Sequence, residues 1–199
     1  MCNDYRLIER VPAEELFDGL ETPEGMPNFE PREDIRITDR APIVRLNQAG
    51  TPELVQRRWS WPGPGGRPVY NFRSEGRDFP RGRCLILADG FYEFTAHTDP
   101  KSKRKHKWLF TLEGSPWFAI AGLWRDEPSV GEAFTMLTLD AGPDVAPYHH
   151  RQIIPLARDR WADLLDLTVP ANEVLRWLPQ GSLPVAQVYR APPAQGALV

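Results

Sequence analysis

Long apolar runs are missing from this chain of 199 residues. No stretch approaches the roughly 20 apolar residues that a transmembrane helix needs, so the sequence predicts no membrane partner. The first residues have no apolar run behind a basic start, and a secretory signal is therefore not expected. Without either segment we expect a cytoplasmic protein. The composition, 41% hydrophobic and 26% charged residues, is typical of one globular domain.

Cysteine is scarce as well. The chain has two, Cys2 and Cys84, which cannot form a disulfide scaffold or a zinc site with four thiolates. Its four histidines are scattered without the spacing of zinc ligands, so we predict neither a metal nor another cofactor. Cys84 falls inside an apolar run, which predicts a thiol packed in the core.

The order of the apolar runs predicts an α+β fold around one mainly antiparallel sheet system. Strands are expected at 42–46, 84–94, 108–112, 117–123, 134–139 and 184–189, with a turn inside the second run. Short helices are expected at 12–20, 158–167 and 172–178. No break in composition marks a second domain, so we expect one domain over residues 1–190, acting as a monomer, and a loose tail at 191–199.

Charge is distributed unevenly along the chain. Residues 57–107 contain twelve Lys and Arg against five Asp and Glu, a net charge of +7, whereas the whole chain carries -3. In this basic segment seven arginines alternate with five aromatic residues: Arg57, Arg58, Arg67, Arg73, Arg77, Arg81 and Arg83 with Trp59, Trp61, Tyr70, Phe72 and Phe79. Two interpretations stay open, a groove that binds single-stranded DNA or core rings beside solvated arginines. The lysine-rich run 101–107 predicts a solvated loop tip or a peripheral phosphate contact.

Position 2 is the most informative one for chemistry. If Met1 is removed, Cys2 carries an α-amine and a thiol on adjacent carbons. An α-amine with a pKa of about 8 is partly neutral at physiological pH, so it can condense with an aldehyde before the thiol closes a thiazolidine ring. The same two groups could instead hydrolyse an amide, and a thiol without a role is the third interpretation. A retained Met1 would disable both reactions.

Several motifs together carry a family resemblance. They are Met-Cys at the start, Asn-x-Arg-x-Glu from Asn71, Arg-Cys-Leu-x-x-x-Asp-Gly-Phe-Tyr-Glu ending at Glu93, Ala-Gly-Leu-Trp at 121–124, and His-x-Arg from His149. In this order the set resembles the SOS response-associated peptidase (SRAP) family from Cys2 to about Tyr189. The resemblance implies one SRAP-type domain with a barrel-like core, a few peripheral helices and no cofactor.

The resemblance also implies an activity. It suggests binding of single-stranded DNA and a covalent thiazolidine link between Cys2 and the open-chain aldehyde of an abasic site, after the protein removes its own Met1. It further implies action at the nucleoid during DNA damage and a formal peptidase or hydrolase class, with lyase-like crosslinking chemistry. Two alternatives remain: a cysteine peptidase for protein substrates, and a noncovalent reader of modified or damaged DNA.

The implied site residues fall into two groups. Cys2, Asn71, Glu93 and His149 are expected to be catalytic, with Glu93 as a general acid and base whose pKa is raised by flanking aromatic rings. His149 is expected to act on the sugar oxygen, and Asn71 to orient the amine or the sugar. The expected DNA contacts are Arg73, Arg151, Arg6, Trp59 and Phe94.

This chain departs from the family pattern at several positions. Asp4 stands where the family usually has an arginine that contacts DNA, so either Arg6 substitutes for it or affinity is lower. Phe94 stands where tryptophan is common, and Gln152 to Pro155 replaces a usual Met-Pro. The last difference leaves His150 as a competitor of His149 for the catalytic assignment.

Overall fold

The structure is a computed structural model that describes residues 2–25, 30–97 and 102–189. In these ranges the chain forms fifteen β-strands and two short α-helices. The strands are β1 (Asp4–Leu7), β2 (Arg32–Arg36), β3 (Arg40–Leu46), β4 (Pro52–Trp59), β5 (Trp61–Pro62), β6 (Pro68–Val69), β7 (Asn71–Arg73), β8 (Arg83–Ala88), β9 (Gly90–Ala96), β10 (Lys105–Phe110), β11 (Phe118–Arg125), β12 (Ala133–Asp140), β13 (Arg151–Ile153), β14 (Pro155–Leu156) and β15 (Val185–Tyr189). The helices are α1 (Trp161–Leu165) and α2 (Ala171–Val174). The predicted tail at 191–199 lies outside the described residues.

The larger sheet closes on itself. Its strands follow the order β13-β12-β4-β3-β8-β11-β14, and an additional pairing joins β11 to β12, so five strands from β12 to β11 form a ring. Most of these pairs are antiparallel, while β12 runs parallel to β4 and to β7. Closure leaves the ring strands without free edges, which confirms the predicted mainly antiparallel, barrel-like core.

Strand β8 shows why an apolar run becomes a strand here. All six of its residues are buried, because it lies between β3 and β11 in the ring and α1 packs against it. A short apolar run with both faces covered has no polar alternation, as the sequence from Cys84 indicates. Cys84 is fully buried there, as predicted.

The second sheet places the start of the chain in its interior. Its order is β15-β10-β9-β1-β2, so β1 is hydrogen-bonded on both sides, with Tyr5 opposite Ile35 and Phe91. Asp89, in the turn between β8 and β9, accepts hydrogen bonds from Arg6 Nε at 2.6 Å and from the Glu9 backbone N–H at 2.8 Å. These contacts fix the strand that carries Cys2.

The helices are shorter than the sequence predicts. The segment expected at 12–20 forms one 3-10 turn at Ala13–Glu15. Helix α1 ends at Leu165 because the Asp166 carboxylate accepts bonds from the backbone N–H and hydroxyl of Thr168, a turn that competes with helix. Helix α2 ends at Val174 instead of residue 178. No helix in the described ranges is long and apolar enough to cross a bilayer.

The sequence does not predict strand β4, because charged residues occupy some of its buried positions. Glu53 and Arg57 are buried in an ion-pair network, in which Arg45 binds Glu53 and Glu132 at 2.7 Å each. Arg57 binds Glu132 as well. Paired charges can be buried without loss of hydrogen bonding, but they remove the hydrophobic alternation that identifies a strand.

Candidate active site

Cys2 lies in the core at the end of the interior strand. Its side chain is 0% exposed, and its Sγ donates to the backbone oxygen of Asp4 at 3.3 Å. Burial is the main cause that raises the pKa of the Cys2 thiol, and the negative charge of Glu93 adds to it. The sulfur is therefore stored as a thiol, and a proton must leave it before or while it forms a bond.

Glu93 is the carboxyl group that meets Cys2. Its side chain is 1% exposed, and the Cys2 backbone N–H donates a hydrogen bond to it. Burial raises the pKa of Glu93 to about 7, although the hydrogen bond from Cys2 acts to lower it. The group can thus both hold and release a proton near neutral pH.

The direction of this pKa shift agrees with the expectation, but its source differs. Neighbouring strand residues point to opposite faces, so Tyr92 and Phe94 share the face opposite Glu93. On that face Lys107 Nζ lies 3.6 Å from the ring centroid of Tyr92 and 5.9 Å from that of Phe94. Phe91 shares the face of Glu93 and is fully buried, so burial in the core around β9, with Phe91 but without Tyr92 and Phe94, raises the pKa of Glu93.

Asn71 holds the other end of the same residue. Its Nδ2 donates to the backbone oxygen of Cys2 at 2.7 Å from the parallel strand β7. Its Oδ1 is buried and accepts no hydrogen bond from the described residues. Cys2 is therefore held at its nitrogen by Glu93 and at its carbonyl by Asn71. The Oδ1 atom of Asn71 is left to accept a hydrogen bond from a further donor.

His149 lies on the loop that leads into β13. Its Nδ1 is 3.0 Å from both the backbone nitrogen and the backbone oxygen of Arg151. Burial is the main cause that lowers the pKa of His149, and the neighbouring charge of His150 contributes. The preceding Tyr148 packs 4.8 Å from the ring of Trp108, which pairs with Glu93 across β9 and β10. The loop thus brings a neutral imidazole to the Glu93 end of the sheet.

His150 is in a different environment. It is exposed, and its ring stacks on that of His149 at 4.4 Å between centroids. The structure therefore separates the two histidines by burial, with His149 the inner one.

The two predicted arginine contacts of β7 and β13 are placed differently. Arg73 is exposed. Arg151 is 3% exposed, and its guanidinium binds Glu75 at 2.9 Å, Asp140 at 2.7 Å and the Thr138 hydroxyl at 3.1 Å. Both terminal nitrogens of the Arg151 guanidinium are committed to protein oxygens, whereas its buried Nε has no partner among the described residues, so the geometry is mainly that of a structural cation.

Trp59 and Phe94 also differ in exposure. Trp59 is 0% exposed, donates from Nε1 to the Tyr70 carbonyl at 2.9 Å and meets the Tyr5 ring at 5.2 Å. It therefore offers no ring face to a nucleobase in this conformation. Phe94 is half-buried and retains accessible surface.

An ion-pair cluster beside Cys2 was not predicted. Asp4 is 7% exposed, and its carboxylate lies 2.8 Å from Lys107 Nζ, which also binds Asp34 at 2.6 Å. Burial raises the pKa of Asp4 to about 6 despite the attraction of Lys107. Arg6 is tied to Asp89 instead. Only the charge reversal at position 4 indicates this cluster in the sequence, since Lys107 falls in a run that predicts a solvated loop.

No three His, Cys, Asp or Glu side chains in the described part of the chain lie close enough together to hold a metal ion. The groups that meet Cys2 are instead a carboxyl and an amide, which move protons and orient polar atoms.

The sequence of this chain matches a known family. The sequence model of the SOS response associated peptidase (SRAP) family matches residues 1–191, and the chain belongs to that family. A curated relative is the abasic site processing protein HMCES of Gallus gallus, 30% identical over 123 residues. That alignment covers 47% of this chain and 34% of the relative, about a third of its length.

Solved structures show the same fold. A phage-related protein from Bordetella bronchiseptica superposes with a TM-score of 0.74 at 21% identity, covering 95% of each chain. A second Bordetella bronchiseptica protein has a TM-score of 0.70 at 23% identity and covers 95% of this chain and 100% of its own. A protein from Bacteroides thetaiotaomicron has a TM-score of 0.65 at 15% identity, over 80% and 79% of the two chains.

The raised pKa of Glu93 predicts a pH dependence of stability. A folded pKa of about 7 exceeds the unfolded value of about 4.3, so the folded state binds the proton more tightly. Stability contributed by protonated Glu93 is present below about pH 4 and is lost as pH rises towards 7. Relative to Glu93→Gln, the parent should lose about 1 to 3 kcal/mol of unfolding free energy between pH 5 and pH 8.

Urea unfolding at both pH values measures this difference. Glu14→Gln, at an exposed position, is the matched control and should follow the parent. Parallel pH profiles of the parent and Glu93→Gln would contradict the assigned burial of a titrating carboxyl.

Proposed function

We propose that this protein captures abasic sites in single-stranded DNA by forming a thiazolidine between Cys2 and the sugar aldehyde. The observation that carries the proposal is the hydrogen bond from the Cys2 nitrogen to the buried Glu93 carboxyl. Once Met1 is removed, that nitrogen is the α-amine. The atom that must attack the aldehyde is then beside a group that exchanges protons near pH 7.

The proposed reaction follows from the protonation states. The neutral amine adds to the aldehyde carbon, its two protons pass by way of Glu93 to the aldehyde oxygen, and that oxygen leaves as water to give an imine. The Cys2 sulfur then adds to the imine carbon, while its proton passes through Glu93 to the nitrogen. One aldehyde, one amine and one thiol thus give a thiazolidine and water. Because burial keeps the sulfur protonated, the amine reacts first.

Asn71 and His149 have supporting roles in this proposal. Asn71 fixes the Cys2 carbonyl at 2.7 Å, and its second, buried amide oxygen can accept from the amine or a sugar hydroxyl. His149 is neutral because burial lowers its pKa, so it can donate a hydrogen bond to the ring-opened sugar oxygen. The site of action we propose is cytoplasmic DNA at the nucleoid, with the protein acting as a monomer.

The same contact supports self-removal of Met1. Hydrolysis of the bond before Cys2 adds a hydroxyl group to the Met1 carbonyl carbon and a proton to the Cys2 nitrogen. Glu93 already accepts a bond from that nitrogen, so it can deliver the proton to the departing amine. We propose this single cleavage as the peptidase activity. Turnover of an unrelated peptide would favour a general cysteine peptidase instead.

Cys2→Ala should abolish the covalent adduct, because it removes the sulfur that closes the ring. Intact mass after mixing with an abasic oligonucleotide measures the adduct directly, and the parent should show the summed mass minus one water. Cys84→Ala is the matched control, since Cys84 is an equally buried thiol in the core. An undiminished adduct from Cys2→Ala would favour a noncovalent reader and overturn the proposal.

Glu93→Gln should separate chemistry from binding. The amide keeps the shape and an acceptor for the Cys2 nitrogen but cannot transfer a proton, so crosslinking should slow by about 10² to 10⁴ at equal DNA occupancy. Quenched time courses followed by denaturing gels give the rate. Processing of Met1 is checked first by mass, and a chain with Cys2 exposed by another protease is used if processing fails.

Two histidine variants complete this test. His149→Ala should give a smaller loss than Glu93→Gln, and His150→Ala little. Rates for Glu93→Gln within about twofold of the parent would remove Glu93 from the mechanism. A larger loss from His150→Ala than from His149→Ala would reverse the two assignments.

Arg73 and Arg151 should respond differently to substitution. Arg73→Ala removes an exposed cation, so the salt slope for binding single-stranded DNA should fall by about 0.7 with unchanged stability. Arg151→Gln removes a buried cation from Glu75 and Asp140, so unfolding free energy should fall by about 1 to 2 kcal/mol while the salt slope stays the same. Fluorescence anisotropy across a salt series and urea unfolding measure both. Equal slopes for Arg73→Ala and the parent would exclude Arg73 as a phosphate contact.

A further inference from the structure

The largest exposed aromatic ring of the described chain has no role in the site above. Trp177 is 55% exposed, although tryptophan is highly buried on average. It lies at the rim of a cavity of about 910 Å³, whose lining includes Glu75, Arg77, Asp140, Leu175 and Arg176. We call this cavity the Trp177 groove.

The ring of Trp177 is held in place despite its exposure. Its Nε1 donates to the Asp140 carbonyl at 2.7 Å. It also packs on Gly142, where an added Cβ would lie 3.2 Å from the indole atoms. A ring fixed at its polar edge and supported by backbone is pre-organised for stacking, because little conformational freedom is lost when a ligand binds.

The three acidic residues of the groove pair with two buried arginines. Glu75 and Asp140 both bind the buried Arg151. Asp78 lies 3.6 Å from the guanidinium of the buried Arg83. These three carboxylates oppose two buried guanidinium groups, so the lining cations Arg77 and Arg176 bring the net charge of the groove with its ion pairs to +1.

The Trp177 groove lies near the candidate active site along the chain. Arg73 is exposed at the end of β7, and Glu75 in the groove wall follows two residues later. From Asn71, which binds Cys2, to Glu75 the chain spans at most about 14 Å. A few nucleotides cover that distance, so a strand held at Cys2 can pass Arg73 and reach the groove.

We propose that the Trp177 groove binds one nucleobase of the same DNA strand, a few nucleotides from the abasic site, stacked on the indole of Trp177. Arg77 and Arg176 hold the adjoining phosphates. The inference rests on the proposed function, because that function makes single-stranded DNA the ligand. Trp177 provides the stacking surface that the buried Trp59 does not. Base–aromatic stacking beside arginines is how sequence-tolerant single-strand binding works.

The test uses DNA that cannot react, so that binding is read without chemistry. The probe is a fluorescent strand of about 15 nucleotides with a tetrahydrofuran analogue of the abasic nucleotide at its centre. Trp177→Ala should bind it about 5- to 150-fold more weakly than the parent, the range expected for one lost base stack. Trp177→Phe should restore most of the affinity, because phenylalanine keeps an aromatic face.

A short strand and a second exposed position provide the controls. A reactive trinucleotide with the abasic residue in its middle cannot reach the groove, so Trp177→Ala should crosslink it at the parent rate. Leu167→Ala, at an exposed apolar position outside the groove, should bind the long strand like the parent. Far-ultraviolet circular dichroism checks that each variant is folded.

Each result decides the inference separately from the proposed function. Binding of the long strand by Trp177→Ala within about twofold of the parent would overturn the inference and show that the groove has another ligand, such as a peptide. Equal losses with the long strand and the trinucleotide would overturn it too, because they would indicate a disturbed fold. Absence of any adduct between the parent and the trinucleotide would instead defeat the proposed function, while the long unreactive strand still reports on the groove.

Discussion

Burial of Cys2 is the constraint on which the site depends. Chain ends usually fray, whereas Cys2 is fully buried. Three contacts oppose fraying: Glu93 binds its nitrogen, Asn71 its carbonyl, and Asp89 the backbone that follows β1. These contacts come from β9, β7 and the turn before β9, so the two sheets must both be formed before the site exists.

The same burial determines the chemistry that the site can support. Removing water raises the pKa of the Cys2 thiol and of the Glu93 carboxyl together, because both charged forms lose solvation. The result is a sulfur that does not react prematurely and a carboxyl that changes protonation near neutral pH. A solvent-exposed pair would have the opposite properties, an acidic carboxylate that is always charged and a thiol open to oxidation. Protection and proton transfer thus have one physical origin.

Local signals in the sequence predicted the fold class and the inner residues of the site. The apolar run from Cys84 predicted β8, and the motifs at Asn71 and Glu93 predicted two residues that the structure brings to Cys2. Helix ends and β4 were not predicted, because turn-forming side chains and buried ion pairs outweigh hydrophobic spacing there. Composition also could not predict which arginines of the basic segment are buried. Arg57 and Arg83 are buried, whereas Arg73 and Arg77 are exposed.

The charge reversal at position 4 shows how a distant residue compensates for a local loss. Asp4 removes a cation beside Cys2, and Arg6 cannot replace it because Asp89 binds its guanidinium. Lys107 neutralises Asp4 across two strands, but it also binds Asp34, which Arg36 contacts at 3.6 Å, so the two carboxylates balance the two cations. In the proposed complex a DNA phosphate therefore gains no net attraction at this point, and affinity must come from cations further along the strand's path. The exposed arginines that follow β7 are such cations. The positive rim around Trp177 thus compensates for the cation that is missing at Asp4.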